Sequence, residues 1–259
     1  MQFNDDLERR IYLDKAPRKI ISLCPSLSET LYDLGLAECI AGRTDYCVHP
    51  QELADRVPSV GGPKSVSIDA VKKIGPDLIL IVKEENDKKN IEKLTALGYK
   101  CFIFDINSVS DALKMLVKLG KIFGLEKKAS KIHDNVVKGL DSIKGIGNGA
   151  SFLYMVWNSP YMACATDNYI NSLLNHAGLS NCLSDRLKRY VIMPLNSLKS
   201  LSPELVLLPS EPYRYTFADR AKFEKIFPAA RVELVDGEMF CWYGSRMAKA
   251  SEYIKKLLN

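Results

Sequence analysis

The chain has 259 residues, of which 47% are hydrophobic and 26% are charged, and its formal net charge at pH 7 is +5. This length allows one large domain or two of ordinary size, and the composition is normal for a globular protein with a buried core. The positive charge is mild and spread along the chain, which argues against nucleic acid as a partner. No apolar run reaches the length of a membrane span, so we predict no transmembrane segment.

The first ten residues contain neither the apolar run nor the small-residue cleavage site of a signal peptide. The seven cysteines show no metal-ligand spacing, and Cys24, Cys101 and Cys164 lie in apolar runs that are typical of buried thiols. From these observations we predict a cytoplasmic protein, with a periplasmic or cell-surface location as the alternative if an export signal was removed. We expect a monomer without an intrinsic cofactor.

The first half of the chain predicts alternating strands and helices. After a polar lead-in that suggests an edge hairpin, Lys19–Cys24 has the pattern of a buried strand, and Ser26 or Ser28 can cap the following helix. Further strands are predicted near 39–42, 78–82 and 100–105, and helices over 67–74 and 90–97. This alternation predicts a parallel sheet covered by helices, and we assign residues 1–107 to an N-terminal α/β lobe.

From Val109 to about Ile143 the apolar periodicity is helical only, with interruptions at Gly120 and Gly124. We therefore predict a helical connector over residues 108–149. Residues 150–259 are assigned to a C-terminal α/β lobe, with strands over 152–157, 205–208 and 231–235 and helices before Gly178 and over 221–227 and 247–258.

The two halves of the chain resemble each other. Residues 31–40 read LYDLGLAECI and residues 174–183 read LNHAGLSNCL, each with glycine where a helix ends. Downstream, IGPDLILI at 74–81 corresponds to LSPELVLL at 201–208. The conserved order of the two matches predicts two similar lobes with a ligand cleft between them. The alternative explanation is that any alternation of helices and strands produces weak sequence similarity between the two halves by chance.

Ligands of open α/β sheets bind beyond the carboxyl ends of the strands. The residues that follow the predicted strand ends are rich in aromatic rings, which bury large planar ligands well. We predict ligand contacts from Ser26, Tyr46, Lys83, Trp157, Tyr161, Trp242, Tyr243 and Arg246. Glu211, Tyr213 and Tyr215 also follow a strand end.

Structural explanations of these residues remain open. Trp157 can fill an interface between the lobes, and Tyr46 can anchor its own loop. Arg246 is suited to a carboxylate or phosphate of the ligand, but it can equally begin the last helix or bridge the lobes. Lys83 can belong to a solvated rim.

Several motifs resemble those of the periplasmic substrate-binding proteins for iron-siderophores and cobalamin, which are of the helical-backbone metal receptor type. These motifs are RKIISLCPSLSET at 18–30, VGG at 60–62, SID at 67–69 and PDLI at 76–79. The aromatic segment FCWYGSR at 240–246 is similar to the loop before the last helix of the cobalamin-binding members. The likeness runs from about Arg18 to Leu258.

The resemblance implies two Rossmann-like lobes joined by a long backbone α-helix, a ligand held between them with little hinge motion, and an ABC permease as partner. The family docks to its permease through one acidic residue on each lobe. Asp69 matches the first, whereas the second position falls near the neutral Asn196. The three histidines form no pair at ligand spacing, so the chain is not expected to capture a bare metal ion.

We therefore predict a binding protein, not an enzyme, that captures a metal chelate. A corrinoid such as cobalamin is the leading candidate, and a siderophore or heme is the other. The sequence lacks the motifs of nucleotide-binding loops, zinc proteases and serine hydrolases. A nucleophilic Cys24 at a helix N-terminus would need a histidine that the sequence does not place beside it. The alternative function is a cytoplasmic enzyme or metallochaperone of the same fold that acts on a corrinoid or heme-like compound.

Overall fold

The computed structural model describes residues 1–184 and 189–259, and these form two compact units. The N-terminal unit consists of Met1–Ile106, Ser110–Val136 and Tyr243–Arg246. The C-terminal unit consists of Asn107–Val109, Val137–Trp242 and Met247–Asn259. Both units are α/β, as the sequence predicts. The short segment 243–246 is separated from the rest of its unit by more than a hundred residues of chain.

The strands of the first part of the chain are β1 (Gln2–Asn4), β2 (Arg10–Tyr12), β3 (Ile20–Ser22), β4 (Ile40–Arg43), β5 (Gly61–Gly62), β6 (Ser65–Val66), β7 (Leu78–Val82) and β8 (Cys101–Phe104). The helices are α1 (Pro25–Asp33), α2 (Gln51–Arg56), α3 (Ile68–Ile74), α4 (Lys88–Ala96), α5 (Val109–Phe123) and α6 (Glu126–Ile143). The last two helices occupy the stretch predicted as the connector, and the division between the units falls within α6.

The sheet of the N-terminal unit has the strand order β4-β3-β7-β8, and every neighbouring pair is parallel. All residues of β3, β7 and β8 are buried, as expected for strands covered on both faces. β1 and β2 pair as the antiparallel edge hairpin that the polar lead-in suggests.

Helix α1 begins differently from our prediction. Its N-cap residue is Cys24 and Pro25 is the first helical residue, so neither serine caps the helix. Proline is well suited to that position because its fixed φ matches the helix and its missing N–H would have no partner there. Ser28 lies inside the helix, where its hydroxyl donates to the Cys24 carbonyl at 3.2 Å.

The strands of the second part are β9 (Ser151–Asn158), β10 (Tyr161–Cys164), β11 (Ser180–Asn181), β12 (Tyr190–Ile192), β13 (Leu205–Pro209) and β14 (Arg231–Val235). The helices are α7 (Tyr169–His176), α8 (Leu195–Lys199), α9 (Phe217–Ile226), α10 (Glu238–Cys241) and α11 (Met247–Leu258). The sheet order is β12-β10-β9-β13-β14, with β11 also paired to β9. β10 and β12 are antiparallel additions at one edge.

The internal repeat of the sequence is visible in the two sheets. Parallel strands β11-β9-β13-β14 of the C-terminal unit follow the same order as β4-β3-β7-β8. The repeated glycines, Gly35 and Gly178, have φ of +80° and +85° after α1 and α7. The repeated apolar runs form β7 and β13, and both are fully buried. This agreement favours a duplicated unit over a chance similarity between the two halves of the sequence.

Helix α9 begins four residues before the predicted start at 221. Thr216 caps it, and the side chain of Asp219 accepts from the Thr216 backbone, which completes a capping box. Two donors at the helix start are satisfied in this way, and the helix extends back to Phe217. Among the described residues, no helix combines the length and the apolar character that crossing a bilayer requires.

Candidate functional site

In the N-terminal unit, the carboxyl end of β3 leads directly into α1 and brings Ser26 to a buried position. Ser26 is 2% exposed, and its hydroxyl lies 3.2 Å from the Cys24 sulfur. The hydroxyl of Tyr243, another predicted ligand residue, lies 3.5 Å from the same sulfur. Tyr243 is itself only 4% exposed. These two predicted residues are therefore neighbours, but their polar groups are used within the unit.

The Cys24 thiol has low nucleophilic reactivity in this environment. Burial raises its pKa to about 12, and the nearby charge of Glu85 acts in the same direction. Hydrogen bonds from Ser26 and Tyr243 oppose the shift without cancelling it. Because the nucleophilic form of cysteine is the thiolate, Cys24 is a neutral structural residue at neutral pH.

The segment Tyr243–Arg246 is held on α1 by polar contacts. The Nε of Arg246 donates to Glu29 Oε2 at 2.6 Å, and both side chains are 6% exposed. The Ser245 N–H donates to Thr30 Oγ1 at 3.2 Å. Gly244 has φ of +86°, and a Cβ there would overlap the Thr30 hydroxyl. The predicted ligand residue Arg246 therefore has a carboxylate partner within its own unit.

The other predicted residues of the N-terminal unit are more accessible. Tyr46 is 63% exposed in the loop after β4. Lys83 follows β7, and its Nζ pairs with Asp105 Oδ2 at 2.5 Å while half of the side chain remains exposed. Asp69, predicted to dock to a permease, lies in the first turn of α3 with a side chain that is 95% exposed.

In the C-terminal unit, the carboxyl end of β9 carries Trp157, which is 40% exposed. Its Nε1 donates to the Ser159 carbonyl at 3.0 Å, and its ring meets the ring of Tyr213 edge-on at 5.5 Å. Tyr213 contacts Tyr215 at 4.8 Å, and Phe223 joins Tyr215 to the predicted residue Tyr161. We call these five rings the aromatic cluster: Trp157, Tyr161, Tyr213, Tyr215 and Phe223.

Polar contacts fix one side of the aromatic cluster. The amide of Asn158 donates to Asp219 Oδ1 at 2.9 Å and to the Tyr213 hydroxyl at 3.3 Å, which ties the start of α9 to the end of β9. The same helix start presents Phe217, whose side chain is 80% exposed. Sequence reasoning missed Phe217. The available signal was a threonine cap followed by an aromatic residue shortly after a strand end.

Trp242 differs from Trp157 because it is only 5% exposed. Its Nε1 donates to Glu211 Oε1 at 2.7 Å, and the Cys241 thiol donates to the same oxygen at 2.9 Å. Burial raises the pKa of the Glu211 carboxyl, and the two hydrogen bonds partly offset that rise. Trp242 is thus a packed residue in this structure, whereas the predicted aromatic wall requires an accessible ring.

Within each unit, the structure brings some of the predicted site residues together. Ser26, Tyr243 and Arg246 surround the start of α1, and Trp157 and Tyr161 belong to the aromatic cluster. Sequence reasoning missed Glu29. This residue lies between apolar positions of α1, and no local sequence pattern indicates that it pairs with Arg246. Across residues 1–184 and 189–259, no group of three or more histidine, cysteine, aspartate or glutamate side chains could hold a metal ion.

Two bacterial proteins are similar to this chain over most of its length. An uncharacterized ABC transporter substrate-binding lipoprotein of Bacillus subtilis, YvrC, is 25% identical over 214 residues, which are 79% of this chain and 67% of that protein. The high-affinity heme uptake system protein IsdE of Staphylococcus aureus is 26% identical over 199 residues, which are 73% of this chain and 65% of that protein. The alignments thus span about two thirds of these relatives.

A solved structure supports the fold. The periplasmic vitamin B12 binding protein BtuF of Vibrio cholerae superposes with a TM-score of 0.79 over 94% of this chain and 97% of that chain, at 17% sequence identity. At this identity the comparison concerns architecture alone, and it agrees with the α/β fold that the sequence predicts.

The family described as "Periplasmic binding protein" matches residues 20–225. Together with the lipoprotein relative, this match shows that the prediction of a cytoplasmic protein was wrong and points outside the cytoplasm. The physical reason is that buried thiols such as Cys24 and Cys164 are stabilised by packing in any compartment, so they do not report on it. The chain belongs to the periplasmic binding protein family.

Proposed function

We propose that this protein is the substrate-binding component of an ABC importer and that it captures a metal chelate at the carboxyl ends of its strands. A corrinoid such as cobalamin is the leading candidate, with heme and siderophores as the other classes. The observation that carries the proposal is the aromatic cluster, which presents the partly exposed Trp157 beside Tyr213. Relatives named for heme uptake and for vitamin B12 binding support the same ligand classes.

The aromatic cluster is suited to a large planar ligand for a physical reason. A ring that is 40% exposed, such as that of Trp157, leaves apolar area in contact with water, and a macrocycle that covers it removes that area from water. Its neighbours Tyr213 and Asn158 supply polar groups beside the apolar face. The exposed ring of Phe217 extends the same edge, and we include it among the ligand contacts.

We further propose that the ligand is released unchanged, so that the protein is not an enzyme. The neutral Cys24 thiol supports this, because its pKa of about 12 leaves almost no thiolate at neutral pH. Relatives of the same family are transport proteins as well. A metallochaperone or enzyme acting on the same compound is not favoured by any of these observations.

For the permease contact we propose Asp69. It is the second residue of α3, and its side chain extends into solvent. Asn196 holds the corresponding second position of α8 in the other half of the repeat. Both side chains are presented in the same way by the two units, but only Asp69 carries a charge. The N-terminal unit therefore supplies the charged contact to the permease, through Asp69.

Spectral titration tests the ligand class. Purified protein is titrated with hemin, cyanocobalamin and ferric desferrioxamine B, and we expect a stoichiometric absorbance change with one of them at micromolar concentration. Trp157→Ala should weaken that binding about tenfold or more, because a large aromatic contact is lost. Tyr12→Ala, at a 57% exposed tyrosine of the β1–β2 hairpin, is the matched control and should bind normally. Failure of all three chelates to bind would overturn the proposal.

Mass spectrometry of the recovered ligand separates capture from catalysis. The bound chelate is released by denaturation after prolonged incubation and compared with the starting compound. An unchanged mass and metal content agree with capture, whereas a new product in the presence of the protein would support the enzymatic alternative.

A further inference from the structure

Glu211 has a specific relation to the last aromatic segment of the C-terminal unit. It follows β13, and one of its carboxylate oxygens accepts hydrogen bonds from the Trp242 indole and the Cys241 thiol. The indole nitrogen to carboxylate distance of 2.7 Å is short, as expected for an ionised acceptor. Through this oxygen, Glu211 joins the loop after β13 to the end of α10.

The groups around Glu211 make its negative charge costly. Asp236 and Glu238 raise its pKa by repulsion in addition to the larger effect of burial. The Cys241 thiol and the indole act in the opposite direction. Tyr154, a fully buried residue of β9, also lies within electrostatic range of Glu211. A carboxyl group in these surroundings takes up a proton at a higher pH than an ordinary glutamate does.

We propose that Glu211 is a positioning residue that fixes the buried Trp242 indole beside the carboxyl end of β13, where the chain leads on to Tyr213 and Tyr215 of the aromatic cluster, and that ligand capture weakens when Glu211 is protonated. The proposal rests on the proposed function for its second part only. A neutral carboxyl accepts weaker hydrogen bonds than a carboxylate, so protonation loosens the hold on the indole. Trp242 then no longer keeps one position in the loop that carries it.

The first experiment uses tryptophan emission and needs no ligand. The chain has two tryptophans, so Trp157→Phe leaves Trp242 as the sole source of tryptophan emission. We expect its emission to change with pH, with a midpoint above the ordinary glutamate value of about 4.3. The change should disappear in Trp157→Phe/Glu211→Gln, because glutamine keeps the acceptor oxygen but cannot titrate. A pH-independent emission in the single variant, or an unaltered transition in the double variant, would overturn the proposal.

The second experiment measures affinity for whichever of hemin, cyanocobalamin and ferric desferrioxamine B binds. The unaltered protein should lose about fivefold in affinity as the pH falls through the midpoint of the emission change, which corresponds to one weakened hydrogen bond. Glu211→Gln should show a much flatter dependence. Glu204→Gln is the matched control: Glu204 precedes β13 at its opposite end and accepts from the Ser151 N–H at 2.7 Å. It should retain the pH dependence of the unaltered protein.

The two experiments separate the possible failures. If none of the three chelates binds, the proposed function fails, while the emission experiment still decides whether Glu211 controls Trp242. If a compound binds with the same pH dependence in Glu211→Gln and the unaltered protein, the role of Glu211 in capture is overturned and the proposed function stands. Trp242→Phe lacks the indole donor and should likewise flatten the dependence; a full pH response in this variant would contradict the proposal.

Discussion

Glu29 and Arg246 are 217 residues apart in the sequence, yet their side chains form an ion pair at 2.6 Å inside the N-terminal unit. Only 6% of each side chain is exposed, so the two charges are shielded from water and depend on each other. Together with the Ser245–Thr30 hydrogen bond, this pair fixes a segment that is distant in sequence onto the first helix.

Removal of one partner of this pair should be strongly destabilising. We expect Arg246→Ala to lower the free energy of unfolding by about 3–5 kcal/mol, because it removes the positive charge that pairs with the buried Glu29 carboxylate. Urea denaturation measures the change. Arg220→Ala is the control, since Arg220 forms an exposed pair with Glu224 and should cost at most about 1 kcal/mol. Equal losses in the two variants would contradict the assigned importance of the buried pair.

The double variant Glu29→Leu/Arg246→Met tests the same pair in another way. If the cost of the single variant comes from an uncompensated charge, replacing both partners by apolar side chains should recover most of the lost stability. A double variant as unstable as Arg246→Ala would show instead that the packing of the arginine stem dominates.

The conformation of Gly244 offers a second test of this segment. Its positive φ strains any other residue, and an added Cβ would also overlap the hydroxyl of Thr30. Gly98 has nearly the same φ, +85°, but open space around its Cβ position. We expect Gly98→Ala to cost about 1–2 kcal/mol from backbone strain and Gly244→Ala to cost clearly more. Thermal unfolding of both variants gives the comparison, and equal costs would exclude the steric contribution.

Alkaline pH should weaken the fold through its buried thiols. The pKa of Cys24 is raised to about 12 by burial, and burial raises the pKa values of Cys47 and Cys101 as well. The unfolded thiols ionise near about pH 8.5, so the stability they contribute is complete below that pH and is lost as the pH rises toward the folded value. For one thiol the loss is at most about 1.4 kcal/mol per pH unit.

Cys24→Ala isolates one of these thiols. It should reduce the steepness with which the free energy of unfolding falls above about pH 9, as measured by urea denaturation at a series of pH values. An alkaline slope identical to that of the unaltered protein would mean that Cys24 ionises as readily in the folded state as in the unfolded chain.

The exposed ring of Phe217 should matter for binding and not for folding. Because 80% of the residue is already in contact with solvent, we expect Phe217→Ser to change the free energy of unfolding by no more than about 0.5 kcal/mol. The affinity for whichever of hemin, cyanocobalamin and ferric desferrioxamine B binds should fall several-fold. Leu97→Ser, at a half-exposed residue after α4, should alter neither quantity. A loss of stability without a loss of affinity would remove Phe217 from the ligand-binding edge.

Much of the fold is predictable from the sequence because the signals are local and repeated. The glycines at 35 and 178 and the apolar runs before and after them predict two sheets with the same parallel order. The antiparallel strands β10 and β12 were not predicted. A four-residue run such as Tyr161–Cys164 has no periodicity long enough to identify it, and its pairing depends on tertiary contacts.

The candidate site was harder to predict than the fold. The rule of strand ends finds Trp157, but it cannot distinguish an accessible indole from the buried indole of Trp242. That difference depends on Glu211, which is 31 residues away in the sequence. The pairing of Arg246 with Glu29 could not be predicted either, because side-chain pairs between residues far apart in the sequence leave no local pattern.

All seven cysteines of this chain are free, and four of them are buried. In an oxidising compartment outside the cytoplasm, this arrangement makes the unfolded chain more susceptible to thiol oxidation than the folded protein. The extended chain exposes every sulfur to oxidants that can crosslink cysteines, whereas the folded protein buries four of the seven. Burial also raises the pKa of the Cys24, Cys47 and Cys101 thiols, which keeps these three protonated. Rapid collapse around the two sheets therefore protects the chain from covalent damage, and any change that slows this collapse should first become visible as crosslinked, insoluble material.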